Sequence, residues 1–441
     1  MTHRTAVIGG GISGLASAWR IAGLGHEVTL FESDEALGGL GGTFVARGIC
    51  LEKFYHCILP SDRALLSLIS SLGLDQDVLW KNAGLGFLYR GELFPLNGPK
   101  DLLRFSPLTP LERLRTALMG LRTRVSGLSP RLDRITAEEW LRRSVGDRAF
   151  EILWKPLLMA KIGEEYRGLP ALWLSSRLHR EKSAPTEIKG CLAGGYRSLI
   201  DAFERSLLEH GVLVRTRARI ESVAPSQHSV AVTHADGTEQ LFDTVVAAVP
   251  VPEFLRLVRG PLPPALRAAS GLDHQGVVSG VFLTEEPLPP FYWMPFVDCG
   301  ATAQGAVAMT HLVPLQRTGG LHVSYLMNYV HRDDPFFSRS DEDVLRLYEQ
   351  DLERLFPALR GHIVEKRVFR APYVEPIWRL GAAQTRPPAS VVPERLYLVC
   401  TAQLYPRVNS WNSCCEMVEE MLPLYARETG AALPSSVEAR A

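Results

Sequence analysis

The sequence predicts an α/β protein in which a Rossmann-like, dinucleotide-binding domain is interleaved with a second, α+β domain. Three observations predict it. A short apolar strand at residues 5–8 runs straight into Gly9-Gly10-Gly11-Ile12-Ser13-Gly14. A second strand at residues 26–31 ends on Glu32. Two long stretches, residues 76–187 and 262–388, separate this opening from two further blocks of similar pattern.

The opening block reads in order. Gly9, Gly11 and Gly14 fit G-x-G-x-x-G. The first glycine makes a tight turn, the second admits a pyrophosphate to the backbone, and the third lets helix pack closely on strand. Residues 15–24 keep a helical pattern that Gly25 ends. The amides of Ile12 and Ser13, with the helix dipole behind them, suit a diphosphate. Glu32 follows Gly9 by 23 residues, where an acid accepts hydrogen bonds from a ribose diol, and Ser33 stands beside it. Strand, glycines, helix, strand and acid in one order are far more specific than a lone glycine motif.

Bulk properties exclude several classes. Lys+Arg and Asp+Glu number 48 each, so no net charge directs the chain to nucleic acid, and a small-molecule partner is expected. The seven cysteines are odd in number and make no CxxC, which favours free thiols and predicts neither disulfide framework nor metal site. The vicinal Cys414 and Cys415 read as packed small residues. The apolar run at 6–8 is too short for a signal peptide, and no window offers 18 unbroken apolar residues. A cytoplasmic protein is expected, with membrane association as the alternative. That alternative comes from residues 99–124, where six basic residues face two acids among leucines and phenylalanine. Three readings stay open there: a solvated helix face, a peripheral membrane contact, or recognition of an anionic substrate.

Six residues after Glu32 comes Gly38-Gly39, followed by Leu40-Gly41-Gly42-Thr43. An acid, five residues and a diglycine resembles the flavoprotein family of monoamine oxidases, phytoene desaturases and protoporphyrinogen oxidases, to which UDP-galactopyranose mutase is related. The resemblance implies FAD as cofactor and the glutathione reductase type 2 form of the Rossmann fold. It also implies a second loop at the pyrophosphate, bringing Gly38, Gly39, Gly42 and Thr43 to the cofactor. The family often has arginine after the diglycine, and Leu40 stands there in this chain.

The other two blocks extend the resemblance. Leu192-Ala193-Gly194-Gly195-Tyr196 leads into a helix at 198–209, strands at 212–215 and 220–223, a hairpin over 230–242 and a buried strand at 243–249. In the family the residue matching Val223 sets its backbone against the adenine, and the strand that carries Ala248 returns beneath the cofactor. The third block is a strand at 395–400, then Thr401-Ala402 where the family has Gly-Asp, then a helix over about 414–426 capped by Asn412 or Ser413. Ala402 and Ser410 are the candidate cofactor contacts at this end. The division expected is FAD-binding parts at 1–75, 188–261 and 389–430, substrate-domain parts at 76–187 and 262–388, and a flexible tail at 431–441. The first substrate part reads as helical with proline breaks. The second reads as strands at 276–283, 305–312, 321–330 and 362–369 around a helix at 341–355.

Residues 51–58, LEKFYHCI, mix charge, aromatic rings, imidazole and thiol. Glu52, Phe54 and His56 fall where the family has an Asp-x-Gly-x-His-like pattern beside the flavin ring. His56 is the catalytic candidate, able to bond the flavin or take a proton near neutrality. Phe54 fills space that glycine usually leaves open. Phe54, Tyr55, Trp293, Trp378, Tyr405 and Trp411 are candidates to line the substrate pocket, with Tyr292, Arg370 and Tyr373 behind them. The activity implied is an FAD-dependent oxidoreductase that dehydrogenates a C–C or C–N bond of a mostly apolar small molecule by hydride transfer to flavin N5. The alternatives are a non-redox isomerase or mutase acting on a nucleotide sugar, and a non-catalytic FAD-binding protein.

Overall fold

The glycine motif sits at the carboxyl edge of a six-stranded sheet in the computed structural model, which describes residues 3–126, 128–180 and 188–433. Strand order is Ser390–Val392, Leu396–Leu398, Thr244–Ala247, Arg4–Ile8, Glu27–Phe31, Leu213–Arg215. Every neighbouring pair is parallel except the first. Parallel strands buried on both faces need continuous apolar runs, which the segments AVI and TVVA supply. Side chains alternate accordingly. Val7 packs toward the helices Ile12–Ala22, Gly195–Glu209 and Trp411–Thr429. Ala6 and Ile8 pack toward a three-stranded antiparallel meander, Ile220–Pro225, Val230–His234 and Glu239–Phe242.

A second, seven-stranded sheet carries the other half. Its strand His274–Thr284, second from one edge, has eleven residues, all buried, between antiparallel Ile363–Pro376 and His322–His331. One face packs on the helix Asp341–Leu355, which starts as the sequence predicts, with Ser340 Oγ accepting from Asp343 N at 3.2 Å. The other face includes Val277, Val281 and Tyr329 and turns toward the site. The helices Pro99–Arg104, Pro110–Ser126, Ala137–Val145, Lys155–Ile162 and Ala171–Arg180 complete that half.

Three expectations need correction. The first insert is not helical throughout: Val78–Asn82, Gly86–Tyr89 and Glu92–Pro95 are strands. The predicted strand at 305–312 stops at Ala308 and becomes a tight turn over Met309–His311, which sends both Met309 and Leu312 into one core. The last helix begins at Trp411 and is capped by Ser410 Oγ, which accepts from Ser413 N at 3.2 Å. Asn412 instead caps a neighbour: its Oδ1 accepts from Ala64 N and Leu65 N at 3.0 and 3.1 Å, at the start of the helix Arg63–Ser71. Of the expected tail at 431–441, residues 434–441 lie outside the described residues.

Candidate active site

A cavity of about 1680 Å³ runs between the two sheets. It exceeds the few hundred to ~1,000 Å³ of a drug-sized pocket, so it has room for a large cofactor together with a substrate. Gly9, Gly11, Ile12, Ser13, Glu32, Ser33, Gly38, Gly39, Ala248 and Ser410 all line it.

Local geometry explains these residues. Gly9 takes φ +107°, and a Cβ there would stand 2.6 Å from Ala248 O. A Cβ on Gly14 would collide with the carbonyl of Gly9, so Gly14 serves helix packing and lies off the cavity wall. Above Gly11 the space is open, the nearest atom to a Cβ being Gly39 Cα at 4.0 Å. The two glycine loops are tied together by Gly38 N donating to Gly10 O at 2.9 Å. Helix Ile12–Ala22 has no side-chain cap, so its first amides stay available to an anion. Glu32 is held by Gly10 N on Oε2 at 2.6 Å and by Ser33 Oγ and Asp34 N on Oε1. These features fit the adenosine diphosphate portion of a dinucleotide: an open amide cradle with a fixed carboxylate at its far end.

Other predicted residues fall elsewhere. Val223 is buried off the cavity, its carbonyl accepting from Arg259 N at 2.8 Å, and Ile220 lines the cavity in its stead. Gly42 and Thr43 start a two-stranded ribbon: Gly42 O accepts from Lys53 N, and Thr43 pairs with Glu52. Ala402 is wholly buried in the core below the sheet, and Thr401 takes the lining position. Trp378 and Tyr405 are core rather than pocket; their rings stand 5.0 Å apart, and Tyr405 donates its hydroxyl to buried Asp133. Phe54, Tyr55, Trp293 and Trp411 do line the cavity, as do Tyr292, Arg370 and Tyr373.

The segment 52–57 crosses the junction between the two halves. Glu52 is a clamp, not a cavity group. Its Oε1 accepts from Arg317 Nη2 at 2.8 Å and from Tyr196 N at 3.0 Å, and its carbonyl takes the Tyr325 hydroxyl at 2.8 Å. Gly195, at φ +69°, leaves the room this pair occupies. His56 Nδ1 donates to Phe54 O at 3.0 Å, which leaves Nε2 as the ring's acceptor. The imidazole packs 5.0 Å from the Tyr196 ring and 5.7 Å from Trp411. Burial lowers its pKa, so the ring is neutral at physiological pH. Leu40 lines the cavity, as does Lys53, whose ammonium stands 4.0 Å from where a Cβ on Gly42 would lie.

Beyond this junction the cavity turns apolar, lined by Leu102, Met119, Leu153, Leu157, Leu174 and Leu178 among others. At its base lies a polar cluster that no sequence signal announced. Lys161 Nζ is 3.6 Å from Glu375, which is 3 % exposed, and 4.3 Å from the centre of the Tyr329 ring. Trp173 Nε1 donates to Glu375 at 3.1 Å, and the Tyr55 and Tyr329 hydroxyls are 3.0 Å apart. Burial raises the pKa of both tyrosines, so both stay protonated. Cys400 and Cys414 line the cofactor end, with burial pushing their thiols up to about 12 and about 11; neither is a ready thiolate.

Fold and cavity together define a dinucleotide-binding protein whose cavity continues from the glycine loops into a mostly apolar chamber. The chain belongs to the family of flavin containing amine oxidoreductases, whose pattern it matches over residues 12–399. Membership of that family implies FAD as the cofactor of this cavity. Among curated relatives it is 24 % identical over 294 residues to coproporphyrinogen III oxidase of Staphylococcus aureus, covering 58 % of this chain and 62 % of that one. It is 28 % identical over 180 residues to zeta-carotene desaturase of Arabidopsis thaliana, covering 36 % and 32 %. The matches thus span less than two thirds of either relative. Among solved structures, an oxidoreductase from Methanosarcina mazei superposes with TM-score 0.76 at 18 % identity, covering 95 % and 100 % of the two chains. Cyclohexylamine oxidase from Brevibacterium oxydans IH-35A gives 0.74 at 14 %, covering 98 % and 100 %. At such identities the structural likeness establishes the fold alone.

Proposed function

We propose that the protein dehydrogenates a C–C or C–N bond of a mostly apolar small molecule. The observation that carries this reading is one continuous cavity, in which a glycine cradle and a leucine-lined chamber meet at residues 53–57. Bound FAD supplies the hydride acceptor.

The chain's own residues bind, orient and exclude water. Gly11, Ile12, Ser13 and Gly39 would offer amides to the diphosphate, Gly9 and Gly38, whose own amides donate to Phe31 O and Gly10 O, would shape the two loops around it, and Glu32 would accept from the ribose. The leucines of the chamber desolvate the substrate, and the Lys161–Glu375 pair with Tyr55 and Tyr329 gives it a polar end to register against. His56 would act through its Nε2, as an acceptor of a hydrogen bond or of a substrate proton. The tyrosines, held protonated, would donate hydrogen bonds rather than act as bases.

The experiment is anaerobic mixing of FAD-loaded protein with reduced tetrapyrroles, carotenoid precursors and alkylamines, following flavin absorbance. Bleaching by one class supports the reading. Turnover that requires prior chemical reduction of the flavin and consumes no acceptor would replace it with a non-redox isomerase.

A further inference from the structure

We infer that the face presented by residues 99–122 docks on an anionic lipid bilayer, at the mouth of the cavity. The helix Pro110–Ser126 buries Met119 but turns its leucines outward. Its buried face includes Thr116 and Thr123, whose hydroxyls donate back to Glu112 O and Met119 O at 2.8 Å, so neither is stranded without a partner. Its outer face carries Leu111, Leu114, Leu118 and Leu121, each between 45 % and 63 % exposed. Their spacing of three, four and three places them in one stripe along the helix. Leu103, 64 % exposed on the preceding helix Pro99–Arg104, adds to the apolar face. A soluble fold gains by burying leucine and exposing threonine, and this helix does the reverse.

Charge selects the occupant. Arg104, Arg115 and Arg122 are exposed on the same two helices. The two acids of the segment are already engaged: Asp101 accepts from Asn97 N at 2.9 Å, and Glu112 accepts from Thr109 N at 2.8 Å and pairs with Arg148. A leucine stripe bordered by cations matches a helix lying in the interface of an anionic bilayer. A second copy related by a two-fold axis would set arginine against arginine. No helix among the described residues is long and apolar enough to cross a membrane, so the contact is peripheral.

The same segment opens on the cavity, whose wall includes Pro99, Leu102, Met119, Gly120 and Leu121. A bilayer seated here would feed an apolar molecule directly into the chamber. That entry route rests on the substrate reading above; the docking itself does not.

The test is co-sedimentation of the full-length, FAD-loaded protein with vesicles of phosphatidylcholine alone or mixed with phosphatidylglycerol. The wild type is expected to bind the anionic vesicles at least ~10-fold more tightly, with the preference shrinking as salt rises. A triple substitution, Leu111→Ser with Leu114→Ser and Leu118→Ser, removes binding to both; Arg115→Glu with Arg122→Glu removes the anionic preference. Flavin content and thermal midpoint report whether each variant folds, and if one does not, the wild type's salt-dependent preference decides. The inference is overturned if the wild type binds neither vesicle, if the variants bind as it does, or if light scattering shows a dimer that the leucine substitutions dissolve. Vesicle binding without flavin bleaching by any apolar substrate would keep the docking and reject the substrate reading.

Discussion

Substituting Arg317→Met isolates the clamp that holds residues 52–57 in place. In the folded protein the side chains of Glu52 and Arg317 are 4 % and 14 % exposed, 2.8 Å apart, and joined by the Tyr196 amide. Removing the guanidinium leaves a buried carboxylate with one strong donor. Breaking a buried pair from one side costs about 3–5 kcal/mol, most of it the unpaired charge. With an unfolding entropy of roughly 2.1 cal/mol/K per residue, a chain of 441 residues loses ~1 °C per kcal/mol, so Tm should fall by about 3–5 °C. Adding Glu52→Gln removes the stranded charge and should recover more than half of that loss. The assay is thermal unfolding by circular dichroism at fixed FAD concentration, run as a double-mutant cycle. If Arg317→Met leaves Tm unchanged, or if the double variant falls as far as the two single losses added, the clamp argument fails.

Other outcomes follow from the same geometry. Gly14→Ala drives a Cβ into the Gly9 carbonyl and should abolish stable FAD retention, read as flavin per chain after gel filtration. Lys53→Met removes the cation near Gly42 at the cavity wall and should weaken FAD about tenfold, by titration of the apoprotein with FAD, without changing the flavin's absorbance maximum. Lys161→Met leaves Glu375 buried beside Tyr329 and should raise KM more than it lowers kcat, with FAD affinity unchanged. His274 is buried, and burial lowers its pKa from 6.5 to about 4. The fold therefore favours the neutral ring: its contribution is fully present above pH 6.5 and is lost as pH falls toward about 4, on the order of 3 kcal/mol in all. Urea midpoints measured from pH 7 down to 4.5 should fall more steeply in the wild type than in His274→Gln.

Local signals made the cofactor half legible. The glycines and the strand-ending Glu32 each satisfy a requirement of their own backbone, so neighbouring residues suffice to read them. Val223 and Ile220 show where that stops. Both are apolar in the same short strand, and which one meets the cavity depends on its pairing with Val230–His234 and on the Arg259 amide that takes the Val223 carbonyl. Gly86–Tyr89 and Glu92–Pro95 form a local hairpin over the left-handed Arg90-Gly91 turn, which the frequent prolines of this insert mask in the sequence; only the parallel partner Trp293–Val297 lies in the other insert. Tyr405 and Trp378 sit close in sequence to the cofactor blocks but turn into the helical core, drawn by Asp133 on a distant segment. Lys161 and Glu375 belong to no motif at all. Only the packing of helix Lys155–Ile162 on the seven-stranded sheet brings them together.

The central claim, that the two glycine loops and Glu32 hold one FAD in this cavity, is tested most directly by the flavin content of the purified chain after incubation with FAD. The account predicts a yellow protein carrying one flavin per chain, and a colourless Gly14→Ala variant prepared alongside it. A wild-type protein that stays colourless after reconstitution while remaining folded would contradict it.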